Sequence, residues 1–229
     1  MEINQIITRI QAQLERQTAA AKNHSGKVLS NAELANYFKL ASDTLVPEGR
    51  TFVVDEENKE VINQLLYYFN RDTEFKGEHS KGIILCGNVG SGKTHLFKVF
   101  QLLALKPIAM TTCRNVERRF HEKGYPVLKD FAFKPVSNGT DKFVPAYCFD
   151  DLGAEANVKA FGNEVNVMAE LIQDRYELWK SSGVVTHFTT NLTKSEISFR
   201  YGDRCLSRLQ EMCTFVVLGT GENSKDRRL

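Results

Sequence analysis

The sequence lacks the features that mark exported, membrane-spanning or disulfide-bonded proteins. Residues 1–10 do not show the basic segment and apolar run of a secretory signal, and no apolar run is long enough to cross a membrane. The five cysteines are dispersed and never form a C-x-x-C pair, which argues against a zinc site or a disulfide framework. We therefore expect a protein of the reducing cytoplasm without membrane contact.

An excess of one charge is also missing. The chain of 229 residues has 30 Lys and Arg and 28 Asp and Glu, so its net charge of +2 leaves the class of partner open. With 42% hydrophobic residues, the composition is that of a globular protein with a proper core. The length fits one α/β domain, which we assign to 51–229, and a smaller helical region at 1–50.

Near the N-terminus, apolar residues recur at helical spacing in a polar segment, 3–14, that is rich in Gln and Ala. The spacing predicts one amphipathic helix whose apolar face is formed by Ile6, Ile7, Ile10 and Leu14. Such a helix either packs on its own domain or docks onto another protein. The sequence leaves both alternatives open.

Two further helices are predicted before the core of the domain. Ser30, in the run S-N-A-E, offers an N-cap for a short helix that passes through Leu40. Asp55 is the candidate cap of the next helix. The apolar face of that helix is formed by Val61, Ile62, Leu65, Leu66 and Phe69.

Beyond residue 81, strand-like apolar runs alternate with helical segments. The first run, 82–86, has the composition of a buried parallel strand. Further strands are predicted at 107–110, 146–149, 184–188 and 214–218, and helices near 93–105, 162–180 and 203–211. This alternation predicts an α/β fold with a parallel sheet of about five strands and helices on both faces.

Residues 87–94 match the pattern G-x-x-x-x-G-K-[ST] between a predicted strand and a predicted helix, and we call them the phosphate turn. Glycines let successive backbone N–H groups face phosphates, and the helix adds its positive end. Lys93 is expected to reach the β and γ phosphates of ATP, and Thr94 to hold Mg²⁺. A turn without a ligand would leave Lys93 at a helix start, where a cation is unfavourable. The predicted ATP-binding residues are Gly87, Asn88, Val89, Gly90, Ser91, Gly92, Lys93, Thr94 and His95.

Polar side chains follow two later strands. Asp150 and Asp151 end an apolar strand, and ligands of open α/β sheets bind at that end. Asp150 is placed to hold Mg²⁺ through water, and Asp151 to orient or deprotonate the water that attacks the γ phosphate. Asn191 follows the next strand and is a candidate contact of the γ phosphate or of that water. The alternatives are an acidic turn for the aspartates, and a turn residue or helix cap for Asn191.

Two basic elements remain. Arg204 and Arg208 share one face of a predicted helix and can therefore reach the same anion. Either they contact the phosphate site of a neighbouring subunit, or they form an exposed pair that is balanced by Asp203 and Glu211. A second helix after strand two either grips a nucleic-acid backbone or presents a solvated basic face. Its polar members are Arg114, Arg118, Arg119, His121 and Lys123, whereas Phe120 fits a core better than a base-stacking site.

Four motifs in one order carry a resemblance: G-N-V-G-S-G-K-T-H, C-F-D-D-L-G-A-E, T-T-N-L and Y-G-D-R-C-L-S-R-L. Together they resemble the AAA+ ATPases of the DnaC-type helicase loaders and their IstB-like transposition-helper relatives, over roughly 52–227. The resemblance implies a Walker A motif at 87–94. It further implies Walker B at Asp150 and Asp151, sensor 1 at Asn191, and a trans-acting arginine at Arg208 beside Arg204.

The resemblance also implies a function. It implies an ATPase, stimulated by assembly and DNA, that acts on single-stranded DNA or on a replicative helicase in DNA replication, as an ATP-dependent homo-oligomer. Residues 1–50 would contact the helicase or, in the IstB-like alternative, a transposase. Many AAA+ members carry Glu where this chain has Asp151, and no room is expected for a C-terminal lid after the fifth strand. Arg227 lies either near the phosphates or in a frayed tail.

Two alternatives come from other classes. A P-loop small-molecule phosphotransferase shares the phosphate turn but needs an acceptor pocket and a mobile Arg-rich lid. A nucleotide switch would bind ATP without turnover, even in the presence of DNA.

Overall fold

The computed structural model describes residues 30–46, 51–103, 108–137, 142–160, 162–219 and 227. The amphipathic helix predicted at 3–14 and the domain boundary predicted near residue 50 lie outside these residues. No helix among the described residues is both long and apolar enough to cross a membrane.

Eight helices are described. After the first strand, helices and strands succeed one another as the sequence predicts, except that two pairs of helices follow each other without an intervening strand. The first begins at a capping box, in which Ser30 accepts a hydrogen bond from the Glu33 amide and the Glu33 side chain reaches back. The helices are α1 (Asn31–Leu45), α2 (Lys59–Phe69), α3 (Lys93–Leu103), α4 (Cys113–Lys123), α5 (Pro126–Phe133), α6 (Val167–Ser182), α7 (Lys194–Tyr201) and α8 (Asp203–Met212).

The main sheet has five strands in the order β2-β5-β8-β1-β9, and all of its pairings are parallel. These strands are β1 (Gly82–Gly87), β2 (Ile108–Thr112), β5 (Ala146–Leu152), β8 (Thr186–Thr190) and β9 (Cys213–Leu218). Two short antiparallel pairs are separate from it: β3 (Val136–Ser137) with β4 (Lys142–Phe143), and β6 (Val158–Ala160) with β7 (Asn163–Val165). The predicted parallel sheet is confirmed.

Strand β1, which lies between β8 and β9, separates two apolar cores. On one face Ile84 packs with Phe149 and Phe188 in a cluster that includes residues of α4, α5, α6 and α8. On the other face Ile83 and Leu85 pack with residues of α1, α2 and α3. All five side chains are fully buried. Alternate residues of β1 therefore enter opposite cores, as a strand covered on both faces requires.

Two predicted helix starts are wrong. Asp55 does not cap α2, because its carbonyl oxygen accepts hydrogen bonds from the Asn58 and Lys59 amides in a turn before the helix, and Asn58 occupies the N-cap position. The helix predicted from residue 162 begins at Val167. Its true cap is Asn166, whose side chain accepts from the Ala169 amide at 3.0 Å, while the preceding residues pair in β7.

Candidate functional site

The phosphate turn leaves β1 and enters α3 in the manner that its glycines predict. Gly90 and Gly92 have φ of 80° and 96°, in the left-handed region that favours glycine. At Gly87 an added Cβ would lie 2.2 Å from the carbonyl oxygen of Leu218 in β9. The turn is therefore shaped by glycine conformation and by close approach to a neighbouring strand.

Lys93 connects the turn to the end of β8. Its Nζ donates to the carbonyl oxygens of Gly87 and Asn88, both at 2.8 Å, and to Oδ1 of Asn191 at 2.6 Å. Burial lowers the pKa of Lys93, and the charges of Asp151 and Asp150 oppose that shift. The structure thus brings together two predicted site residues that are 98 positions apart in the chain.

Asp150 is the buried centre of a second set of contacts. Its carboxylate accepts from the Thr94 hydroxyl at 2.9 and 3.1 Å and from the Thr189 hydroxyl at 2.6 Å. The Thr189 hydroxyl also accepts from the Asp151 amide at 2.8 Å. Thr189, which is fully buried, lies in the motif T-T-N-L, but nothing in the sequence pattern pointed to it as a site residue.

Asp151 has an unusual backbone for a residue with a side chain. Its φ is 57°, in the left-handed region, which residues other than glycine seldom adopt. Burial raises the pKa of its carboxyl group, as does the neighbouring charge of Asp150, while Lys93 opposes both. A carboxylate with a raised pKa beside a phosphate turn has the chemistry of a general base.

Ser91 and His95 each have a buried polar atom without a hydrogen-bond partner among the described residues. These atoms are the Ser91 hydroxyl oxygen and Nε2 of His95. The His95 ring stacks on Phe52, with centroids 4.9 Å apart and an interplanar angle of 15°. Burial, with a smaller effect of Lys98, lowers the pKa of His95. Nothing in the spacing of the sequence pointed to Phe52.

Arg227 lies against the phosphate turn. Its amide donates to the Gly90 carbonyl at 2.8 Å, and its guanidinium pairs with Asp55 at 2.8 Å and with Glu57 at 3.3 Å. Of the two alternatives for this residue, the structure shows proximity to the turn. The guanidinium itself is held by the two carboxylates.

The Arg204 and Arg208 pair is not brought to this site within the chain. Arg208 donates to Gln173 at 2.7 Å, pairs with Glu177 at 3.5 Å and lies 5.0 Å from the centroid of the Tyr176 ring. Arg204 is exposed on the same helix. The predicted balancing charges are occupied elsewhere: Asp203 accepts from Ser198, and Glu211 binds Tyr176 and Lys180. The carboxylate that pairs with Arg208 is therefore on α6 and not on its own helix.

The basic helix α4 divides into an exposed and an inward part. Arg114 and Arg118 are exposed and line an open pocket with Thr112, Asn115 and Glu117. His121 and Lys123 are also exposed. Arg119 instead lies 4.7 Å from the centroid of the Phe131 ring, and Phe120 is buried in the core, as predicted.

The sheet order and the phosphate turn between β1 and α3 give the chain a P-loop NTPase fold in the AAA+ arrangement that the sequence predicts. A solved structure of DnaI is 19% identical, with 83% of this chain and 93% of that chain covered and a TM-score of 0.53. A solved structure of the DnaC helicase loader is 18% identical, with 80% of this chain and 98% of that chain covered and a TM-score of 0.50. A solved structure of a DNA replication initiation factor is 12% identical, with 76% of this chain and 49% of that chain covered and a TM-score of 0.51. No protein-family model and no curated protein matches the chain. The resemblance to DnaC-type loaders is thus confirmed at the level of the fold.

Proposed function

We propose that the chain binds and hydrolyses ATP as an AAA+ ATPase that acts on DNA or on a replicative helicase in DNA replication. The observation that carries this proposal is the convergence of Lys93, Thr94, Asp150 and Asn191, which come from three different strand ends. The similarity in fold to the DnaC helicase loader supports the link to replication. An IstB-like transposition helper would share the same site, so the partner decides between these two.

The residues of the turn fit a nucleotide phosphate. Ser91 offers a buried hydroxyl without a partner among the described residues, and Lys93 offers an ammonium group now bonded to carbonyl oxygens. Thr94 and Asp150 offer two oxygen ligands side by side, which suits Mg²⁺, since this ion binds through few protein oxygens together with phosphates. When bound, the ion would neutralise charge on the phosphates.

The roles of the other residues follow from their chemistry. Asp151, with its raised pKa, would accept a proton from the attacking water. Asn191, already bonded to Lys93, would orient that water or contact the terminal phosphate. His95 borders the turn and would complete the nucleotide-binding surface.

Assembly would supply an arginine in trans. Arg208 is held by Gln173 and Glu177, so it is fixed in direction, whereas Arg204 is exposed beside it. An arginine from one subunit at the phosphates of the next stabilises transition-state charge and makes hydrolysis depend on association. DNA would bind along the exposed part of α4, where Arg114 and Arg118 lie.

The test is ATP turnover with and without single-stranded DNA over a range of protein concentrations, for wild type, Arg208→Ala and Asp151→Asn. We expect turnover that rises with concentration and DNA, and that falls by roughly a hundredfold or more in each variant. Turnover that is independent of concentration and unaffected by Arg208→Ala would contradict the assembly proposal and favour a phosphotransferase or a simple ATPase. Binding without turnover, even with DNA, would instead indicate a switch.

A further inference from the structure

Glu155 is a buried carboxylate in the loop that follows β5, and it takes no part in the contacts of Lys93 and Asp150. Its side chain is 2% exposed. One carboxylate oxygen, Oε1, accepts from the hydroxyl of Tyr201 and from Nε of Arg200 at 3.4 Å. The other, Oε2, accepts from the amide of Gly153 at 3.0 Å. A buried carboxylate with this many donors is fixed in place.

The same carboxylate closes the turn that carries Asp151. That turn has a left-handed Asp151 and a left-handed Gly153, and the Ala154 amide donates to the Asp151 carbonyl at 3.0 Å. A backbone in a sparsely populated conformation persists only where the surroundings hold it. The bond from Gly153 to Glu155 is one such restraint, and it acts two residues from Asp151.

The loop also contacts two elements outside the site. Arg200 and Tyr201 end α7 and lead through one residue into α8, which carries Arg204 and Arg208. Arg200 additionally donates to the carbonyl oxygen of Glu155. On the other side, the Ala156 amide donates to Glu117 of α4 at 3.0 Å. The loop is thus bonded both to the helix pair proposed to face a neighbouring subunit and to the helix proposed to face DNA.

We propose that Glu155 is a positioning residue, which holds the Asp151 turn in its hydrolytic conformation and links that turn to α7 and α8. This inference rests on the proposed ATPase function. Substituting the carboxylate would leave the phosphate turn, Lys93 and Asp150 untouched, because none of their contacts involves Glu155. It would disturb the direction of Asp151 instead.

The experiment compares kcat and KM for ATP in wild type, Glu155→Gln and Tyr201→Phe. The matched control is Glu164→Gln in β7, which removes a carboxylate that is exposed and bonded only to Asn157 among the described contacts. We expect kcat to fall by roughly ten- to a hundredfold in both test variants, since misplacement of a reacting group by about 1 Å has an effect of that size. KM in both test variants and all constants of the control should stay close to wild type. The thermal unfolding midpoint of Tyr201→Phe should fall by only a few degrees, because the buried carboxylate loses one of its donors.

The outcomes distinguish the positioning role of Glu155 from a purely structural role and from failure of the proposed ATPase function. If wild type hydrolyses ATP and both folded variants match its kcat, the positioning role is wrong while the proposed ATPase function stands. A joint loss of ATP affinity and kcat would show a merely structural role and overturn the inference. If Glu155→Gln does not fold, Tyr201→Phe decides alone, because it removes a single hydroxyl. Absence of turnover in wild type would overturn the ATPase proposal and this inference together.

Discussion

At the scale of single residues, Thr189 joins the two aspartates of the site. Its hydroxyl donates to Asp150 at 2.6 Å and accepts from the Asp151 amide at 2.8 Å, so one oxygen restrains both the proposed metal ligand and the proposed base. The residue is fully buried, and water cannot replace either bond without displacing neighbouring atoms.

We predict that Thr189→Val, which keeps the shape and removes the hydroxyl, lowers kcat for ATP by at least about tenfold. The reason is that the hydroxyl that holds both aspartates in place is lost, and misplacement of a reacting group by about 1 Å can lower the rate by roughly a hundredfold. Thr189→Ser, which retains the hydroxyl, should recover most of the activity. Full turnover of the Val variant in a steady-state assay would contradict this role.

The sequence predicts Lys93, Thr94, Asp150 and Asn191 as neighbours because the carboxyl ends of parallel strands share one edge of the sheet. It does not predict Thr189, because a strand of the type T-H-F-T-T offers several hydroxyls and the pattern does not show which one meets a carboxylate. The sequence does not predict the partners of Arg208 either. Glu177 and Gln173 lie on α6, and only the packing of α8 against that helix brings them near.

At the scale of elements, β8 is bonded to β1 through a side chain as well as through its backbone. His187 is buried, and its Nδ1 accepts from the Ile83 amide at 3.1 Å, a bond that only the neutral ring can accept. Burial, with a smaller contribution from the charge of Arg175, lowers the pKa of His187 to about 3. The strand pair is therefore sensitive to acid.

We predict that the free energy of unfolding falls as the pH is lowered below about 6.5. The folded pKa of His187 lies below that of the unfolded chain, so the unfolded state binds the proton first between about pH 6.5 and 3. The contribution of this group is complete above that window and declines inside it by about 1.4 kcal/mol per pH unit. Urea titrations at several pH values measure this slope.

The matched variants for that prediction are His187→Gln and His121→Gln. Substitution of the buried His187 should make the free energy of unfolding depend less on pH. Substitution of the exposed His121 on α4 should leave that dependence unchanged. Equal slopes in wild type and His187→Gln would show that another group titrates.

The long elements were predictable because their apolar patterns are strong. The run 82–86 has the expected type and nearly the expected bounds, and the helix with Val61, Ile62 and Leu65 has the expected type but begins later than predicted. The hairpin of β6 and β7 was not predicted, since two strands of three residues contain too little periodicity to distinguish them from the start of a helix. Asp55 was mistaken for a cap because the sequence does not show that a full turn intervenes before Lys59.

At the scale of the whole molecule, the exposed basic part of α4 adjoins the edge of the sheet that carries the candidate site. The strand before it, β2, ends at Thr112, which is in register with Asp150. A polyanion held by Arg114 and Arg118 would therefore lie next to the proposed hydrolytic site. Under the proposed function, that proximity would give DNA a direct physical route to stimulate turnover.

We predict that the double variant Arg114→Ala and Arg118→Ala binds single-stranded DNA more weakly. The slope of log affinity against log salt should also decrease by about 1.4, since each lost phosphate contact on a single strand removes about 0.7. Lys76→Ala, which removes a cation on the 71–81 loop that is paired with Glu60, serves as the control. Unchanged affinity and slope in fluorescence anisotropy titrations would contradict DNA binding at α4.

The strand order also determines when the phosphate turn can first take its folded shape during synthesis of the chain. β1 emerges from the ribosome early, but both of its lateral neighbours, β8 and β9, are the last strands of the sheet to be made. Gly87 comes into contact with Leu218 only when β9 has paired with β1. A nascent chain that ends before β9 would have the complete sequence of the phosphate turn without Leu218 beside Gly87. Under the proposed function, ATP would therefore not assist its early folding.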